Sequence, residues 1–488
     1  MLYKAIMYKR LTSIFLICLL LGVVSPALAA AGEFPESTAT RTPTPRAGKT
    51  ATPTRTSKAT QTANLTTTAT PSPSPTITQT PTPAEPTEAP YPVVVQLIIN
   101  EPTPVGYGPE QYDFGINPLT GMPVDDPLRL ERRPIAIKIT NYPRYVRPQS
   151  GLSQADIIYE YYMERGVPRF IAIFYGKDAP RVGPVRSGRF FDEHVVRMHD
   201  AYFVFGSADR RVLDYFLLID EHFKNSLVIE SPEDRERDCN DGEFVPLCRD
   251  KSLETYNNLF ANTTALTQYL NWKGSSNDKP DLTGMRFAFR TPLGGEVALN
   301  VYTRFSLFMY NQWVYSMENG KYMRFQETIG KPEPDFEEYA PHMDALTGEQ
   351  LSADNVVVLI VDYDFFVKTN TTEMMDVNLY GSGKGFAFRD GYMFPVRWER
   401  PDNGVLRLYT LDGEPYALKP GQTWYEVMSE ESEYYNDGVD WRFNFNLPPI
   451  PVEPLSPTAK PPFTPTPRLE DQPYVEPEAT PTLTVVDD

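Results

Sequence analysis

Residues Ala155–Gly176 read ADIIYEYYMERGVPRFIAIFYG, two β-rich runs on either side of Arg165-Gly166. β-branched and aromatic residues interrupted by a short glycine-bearing turn predict a hairpin, with strands over Asp156–Glu164 and Arg169–Tyr175. Along the first strand Ile157, Tyr159, Tyr161 and Met163 fall on one face, and Ile158, Glu160, Tyr162 and Glu164 on the other. Upstream, PIAIKIT (Pro134–Thr140) is a further strand by alternation. Downstream, Phe191, Val195, Met198 and Tyr202 recur at helical spacing, with Ser187 as an expected N-cap and Asp192 and Glu193 at the positive end of the helix dipole. YFVFGS then reads as a buried strand, and Ala208–Ile219 and Ser252–Leu270 as two more helices. Strands alternating with helices make this part α/β.

From Gly284 the pattern changes. FAFRT, VALNVYTRF, FMYNQWVYSM and NVVVLIVDYDFF are strand-like, and Gly and Asp-Gly turns separate the runs that follow. The fold class expected is α/β: an N-terminal α/β sandwich domain (113–278) packed with a mostly β C-terminal domain (279–447). Disordered Thr/Pro-rich tails flank the pair.

The ends carry their own signals. A basic start (Lys4, Lys9, Arg10), the apolar run Leu11–Val24 and small residues up to Ala31 have the layout of a secretory signal peptide over residues 1–31. The run of about 14 residues is shorter than the roughly 20 that span a bilayer as a helix. An uncleaved anchor is the competing reading. Residues 32–91 and 448–488 are rich in Thr, Pro, Ala and Ser and cannot bury enough apolar surface to order themselves; they read as spacers. Loss of the leader would take the net charge from −18 to about −21. An acidic chain without a basic stripe argues against nucleic acid or an anionic membrane surface as a partner. Outside the leader only Cys239 and Cys248 remain, and export favours a disulfide between them, with two free thiols as the alternative. Neither a zinc site nor a calcium loop has its spacing here, so no metal and no cofactor is expected.

The sequence resembles a known family at several places. NPLTGMPVDD (Asn117–Asp126), RPQSGLSQADIIYE (Arg147–Glu160), RFIAIFY, RVGPVRSGR (Arg181–Arg189), GSGKGFAFRDG (Gly381–Gly391) and LKPGQTWYEV (Leu418–Val427) are similar to motifs of the YerB-like extracytoplasmic proteins, the DUF3048 domain pair. The resemblance implies a bacterial envelope protein, secreted or lipid-anchored, with an α/β domain followed by a β-rich one. It implies no particular activity. Three departures stand out. No cysteine is placed to carry a lipid, the family's Gly-Gly hairpin turn is Arg165-Gly166, and Val204 and Phe205 occupy the strand where a histidine is frequent.

The chemistry-bearing constellation is rich in arginine. Arg147, Arg169, Arg181, Arg186 and Arg189, with Gln149, Ser150 and Ser187, form an expected ligand site for an anion, because guanidinium forks match carboxylate and phosphate. The competing expectation is that Asp156 and Glu160 hold these arginines as internal ion pairs. Asp156 and Glu160 are also the weak catalytic candidates, although on a strand their Cα atoms lie about 13 Å apart. Ser150, Ser187 and Ser207 lack a positioned base, and His194 and His199 are expected to be solvated or capping residues. Gly381-Ser-Gly-Lys-Gly lacks the residues of a phosphate-binding loop and reads as a turn. Trp313, Tyr315, Trp398, Trp424 and Tyr425 are core by expectation, with a sugar-stacking surface as the alternative. The reading reached is an exported envelope binding or assembly module, its partner a cell-wall glycan or envelope protein. The alternative is an envelope hydrolase or transferase using Asp156 or Glu160 as acid/base with the arginines as clamp. No oligomeric state follows from the sequence.

Overall fold

The computed structural model describes residues 107–254, 256–328, 336–401 and 404–450. The leader, the linker and residues 451–488 lie outside them. The hairpin forms as expected, with strands Ile157–Glu164 and Val167–Phe174 joined at Arg165 (φ 50°) and Gly166 (φ 77°). Two consecutive residues with positive φ make a turn whose twist matches that of the strands, which is why a two-residue connection suffices.

Around this hairpin a 12-stranded sheet is built. On one side Val167–Phe174 pairs with Ile135–Thr140, which continues in parallel to Tyr202–Phe205 and then Leu227–Ile229. On the other side Ile157–Glu164 pairs in parallel with Thr423–Ser429, a strand from near the far end of the chain. That strand pairs in parallel with Asn355–Lys368, which leads to Gly381–Arg389 and Tyr392–Arg400. N-terminal and C-terminal halves therefore share one sheet. A second, 7-stranded sheet contains Asn300–Ser306, Met309–Ser316 and Lys321–Glu327. The N-terminal part mixes helices and strands and the C-terminal part is predominantly β, as the sequence pattern indicates.

Both faces of the central hairpin are buried, whereas its alternation suggested a distinction between them. Tyr159 and Tyr161 pack on Phe191 of the helix Phe191–Met198, at ring-centroid distances of 6.4 and 4.2 Å. Glu160, on the opposite face, reaches Asn311 and Arg324 of the second sheet. The sheet is thus a middle layer between helices and another sheet, and a layer covered twice buries both sets of side chains.

Three local expectations need correction. The first helix ends at Met198, and Tyr202 opens the next strand; Asp200, at φ 44°, turns the chain out of the helix. Ser187 does not cap it. Asp192 Oδ2 instead folds back to accept from the Arg189 amide at 2.7 Å. The helix expected over Ser252–Leu270 occupies only Thr263–Lys273, where Asn262 caps by accepting from Ala265 N at 3.0 Å. Leu259–Ala261, inside the expected helix, is a strand paired with Leu247–Arg249. Cys239 and Cys248 form the expected disulfide just beside that pair.

Candidate functional site

The expected arginine site divides into two. Arg147 is a brace: its guanidinium meets Glu327 at 2.8 Å and donates to the side chain and carbonyl of Asn141. Gln149 is buried between the Thr140 carbonyl and His342. Ser150 donates its hydroxyl proton to the Arg181 carbonyl at 2.8 Å. Arg181 pairs with Asp250 and lies over the Phe260 ring at 3.8 Å. Burial raises the Asp250 pKa, but hydrogen bonds from Ser252, Asn240 and Arg181 outweigh it and hold the carboxyl at about 2. These four residues are spent on the fold. Arg132, Arg133, Arg324 and Arg389 are likewise tied into buried or half-buried ion pairs that brace the interior.

Arg169, Arg186, Ser187 and Arg189 come together differently. Arg169, 7 % exposed, donates through Nη1 to the Ser187 carbonyl at 2.9 Å. Arg189 donates to the same oxygen at 3.5 Å, to the Gly188 carbonyl at 2.9 Å and to Glu164 at 2.7 Å. Arg186 donates to the Tyr256 carbonyl at 2.7 Å. Among the described residues neither Arg169 nor Arg186 forms an ion pair, and the buried Nε of each has no partner. Burial pushes the pKa of Arg169 down, and the positive charges of Arg189 and Arg186 push it further. The hydroxyls of Ser187 and Ser207 lie 2.9 Å apart in an exposed hydrogen bond. The Gly188 amide is taken by the Ser207 carbonyl at 2.8 Å.

Lys138 lies within reach of the charges of Arg169 and Arg189. It is fully buried, bound to Tyr161 Oη and 2.8 Å from Asp192 Oδ1. Burial lowers its pKa to about 7 against the attraction of Asp192, and Arg169 and Arg189 add to the lowering. Four cations (Lys138, Arg169, Arg186, Arg189) therefore face two carboxylates, Asp192 and Glu164. Nearby Asp209 is committed to Arg211. On a chain of net charge −18 this is a local positive excess.

Asp156 and Glu160 form no ion pair with Arg147, Arg169, Arg181, Arg186 or Arg189. Glu160 accepts from Arg324 at 2.6 Å, from Asn141 at 3.1 Å and from Asn311 at 3.2 Å. Arg324 also meets Glu426 at 3.1 Å and lies over the Trp424 ring. Burial raises the Glu160 pKa; Arg324 opposes this and Glu426 reinforces it. Asp156 stands one residue before the strand and accepts from Asn117 Nδ2, Tyr175 N and Gly176 N at 2.8, 2.6 and 3.0 Å. Burial pushes it up to about 6. It lines a separate cleft of about 510 Å³ with Gln154, Lys177, Lys321, Asp354 and Gln422. The two acids thus belong to different places.

His194 and His199 are buried, not solvated, while His199 does occupy the expected capping role at the C-terminus of the helix Phe191–Met198. The sheet needs covering, and their helix supplies the cover. His194 Nδ1 accepts from Arg400 at 2.5 Å, and His199 Nδ1 donates to the Val195 carbonyl at 2.9 Å. Trp313, Trp398, Trp424 and Tyr425 are core, and Tyr315 packs on Tyr322, so none of them offers a sugar-stacking face. Sequence reasoning did not single out Lys138, Asp192, Arg324 or Glu426 as site residues. A lysine inside the β-branched strand PIAIKIT was the one readable signal. Among the described residues no His, Cys, Asp and Glu cluster suits a metal, and no helix is long and apolar enough to cross a membrane.

Fold and site define a two-part protein with a shared mixed sheet and, on the α/β side, a group of arginines of which Arg169 and Arg186 form no ion pair among the described residues. Residues 119–276 match the N-terminal domain, and residues 301–425 the C-terminal domain, of the protein family of unknown function DUF3048. The chain belongs to this family. Over 87 residues it is 44% identical to YerB of Bacillus subtilis (strain 168), which carries the name of a lipoprotein; that stretch is 18% of this chain and 26% of the relative. The aligned stretch is therefore about a quarter of that relative's length. The chain is also similar to the crystal structure of the YerB protein from Bacillus subtilis, with a TM-score of 0.50 and 22% identity, covering 64% of this chain and 96% of that one.

Proposed function

We propose that this is an exported cell-envelope protein that captures an anionic envelope component in the basin formed by Arg169, Arg186, Arg189 and Ser187. The envelope location is supported by the leader-like start of the sequence and by the lipoprotein name of the relative. Arg169 carries the binding reading. A nearly buried guanidinium without a carboxylate, beside two others, is costly unless a counter-ion can approach it. A bound phosphate or carboxylate supplies that charge and takes the free guanidinium hydrogens.

The test is titration of the full chain with poly(glycerol phosphate) and with polygalacturonate. Arg186 is half-buried and, among the described residues, its guanidinium bonds to a carbonyl and to no carboxylate, so Arg186→Ala is expected to leave the fold intact. Losing one charge-assisted contact weakens capture by about tenfold, and capture falls as salt is raised. Binding that is unchanged in Arg186→Ala, or indifferent to salt, overturns the proposal.

A further inference from the structure

Resting on the reading of the basin as an anion site, we infer that its ligand is an anionic sugar, held by its charge in the basin and by its ring against Tyr256 and Tyr145. The observation is what borders the arginines. Arg186 reaches out of the basin to the carbonyl of Tyr256, whose residue is 79% exposed. Next in the chain, Asn257 donates to the Tyr145 hydroxyl at 2.6 Å, and that hydroxyl donates to Glu254 at 2.6 Å. Tyr145 is itself 54% exposed, and its hydroxyl lies near enough to Arg186 for the two to perturb each other. Two exposed tyrosines thus neighbour Arg186, one through its backbone carbonyl and the other through its hydroxyl.

Among the described tyrosines Tyr256 and Tyr145 are the two most exposed. An exposed tyrosine offers a flat apolar face with a polar edge, the shape that covers the C–H face of a pyranose while its rim meets the sugar hydroxyls. Tyr145 is held in place by its two hydrogen bonds, so little rotamer freedom is lost when a ring settles on it. Ser187 and Ser207, hydroxyl to hydroxyl at 2.9 Å in an exposed hydrogen bond, provide donors and acceptors suited to sugar hydroxyls. A bare anion would use the arginines alone. A neutral glycan would leave Arg169 uncompensated. A sugar bearing a phosphate or a carboxylate satisfies both halves.

The experiment is isothermal titration of the full chain with inorganic phosphate, glucose, glucose 1-phosphate and glucuronate. Glucose 1-phosphate and glucuronate separate the two sources of negative charge. The inference expects at least one of them to bind tenfold or more tighter than phosphate and glucose. Tyr256→Ala should bring that ligand down to the level of phosphate without altering phosphate itself, whereas Arg186→Ala weakens both. Because the Tyr256 side chain is exposed, its removal leaves folding unaffected, and the thermal midpoint checks this. If glucose 1-phosphate and glucuronate bind no tighter than phosphate, or if Tyr256→Ala changes nothing, the sugar assignment is overturned and the anion site stands. If no anion binds, or if glucose binds as tightly as the charged sugars, the anion site falls with it.

Discussion

His199 shows how a single buried ring sets a pH window. Its Nδ1–H is used by the Val195 carbonyl, and its Nε2 is buried without a partner near Tyr159. Burial lowers its pKa from 6.5 to about 4. As pH falls below 6.5 the unfolded chain takes up a proton that the folded chain refuses until about pH 4. Stability contributed by the neutral ring is present above pH 6.5 and is lost across that window, by up to about 3 kcal/mol. His199→Phe keeps the ring and removes the titration. Urea midpoints at pH 7 and pH 4.5 should differ less in this variant than in the parent, and an equal difference would refute the assignment. Comparing each protein with itself cancels groups such as Asp156, whose raised pKa works in the opposite direction. Little of this was readable beforehand. Histidines spaced along an amphipathic helix look solvated until both sides of that helix are known to be covered. The arginines were readable as chemistry but not as geometry: nothing in RVGPVRSGR says that Arg181 finds Asp250 while Arg186 finds only a carbonyl.

Turns were the most legible elements, because their requirement is local. Asp390-Gly391 closes the hairpin between Gly381–Arg389 and Tyr392–Arg400 with φ of 54° and 80°, as the Asp-Gly pair predicts. Gly391 is also pressed by packing: a Cβ there would stand 2.9 Å from the Tyr315 ring. Gly413 has a similar φ of 87° with nothing within 4 Å. Alanine at Gly413 should cost only the left-handed strain, about 1–2 kcal/mol, whereas alanine at Gly391 should cost about 1–3 kcal/mol more through the clash. Equal losses in denaturant melts of the two variants would show that the Tyr315 contact yields freely. The short strand Leu259–Ala261 was hidden for the opposite reason. Three residues carry too little periodicity to compete with the helix that follows; pairing with the disulfide-linked Leu247–Arg249 on one side and backbone bonds to Val182 and Val185 on the other hold them extended.

At the scale of the whole molecule, the pattern of strands gave the two classes of region but not their interleaving. A strand from residues 423–429 inserts beside Ile157–Glu164, a pairing across more than half of the folded region that no local signal encodes. Arg324 completes the joint from the second sheet, reaching Glu160 on one of these strands and Glu426 on the other. All three side chains are fully buried, so removing the arginine leaves two carboxylates in a medium that cannot solvate them. Arg324→Met should cost about 3–5 kcal/mol in denaturant melts. Because one sheet runs through both family domains, the loss should appear as a shift of one transition rather than as the early melting of one part. Adding Glu160→Gln and Glu426→Gln to Arg324→Met removes the stranded charges and should recover much of the loss, since neutral amides cost less to bury than carboxylates. Two separate transitions in the single variant would mean that the sheets stand independently, and no recovery in the triple variant would mean that Arg324 acts through its packing on Trp424 instead of its charge.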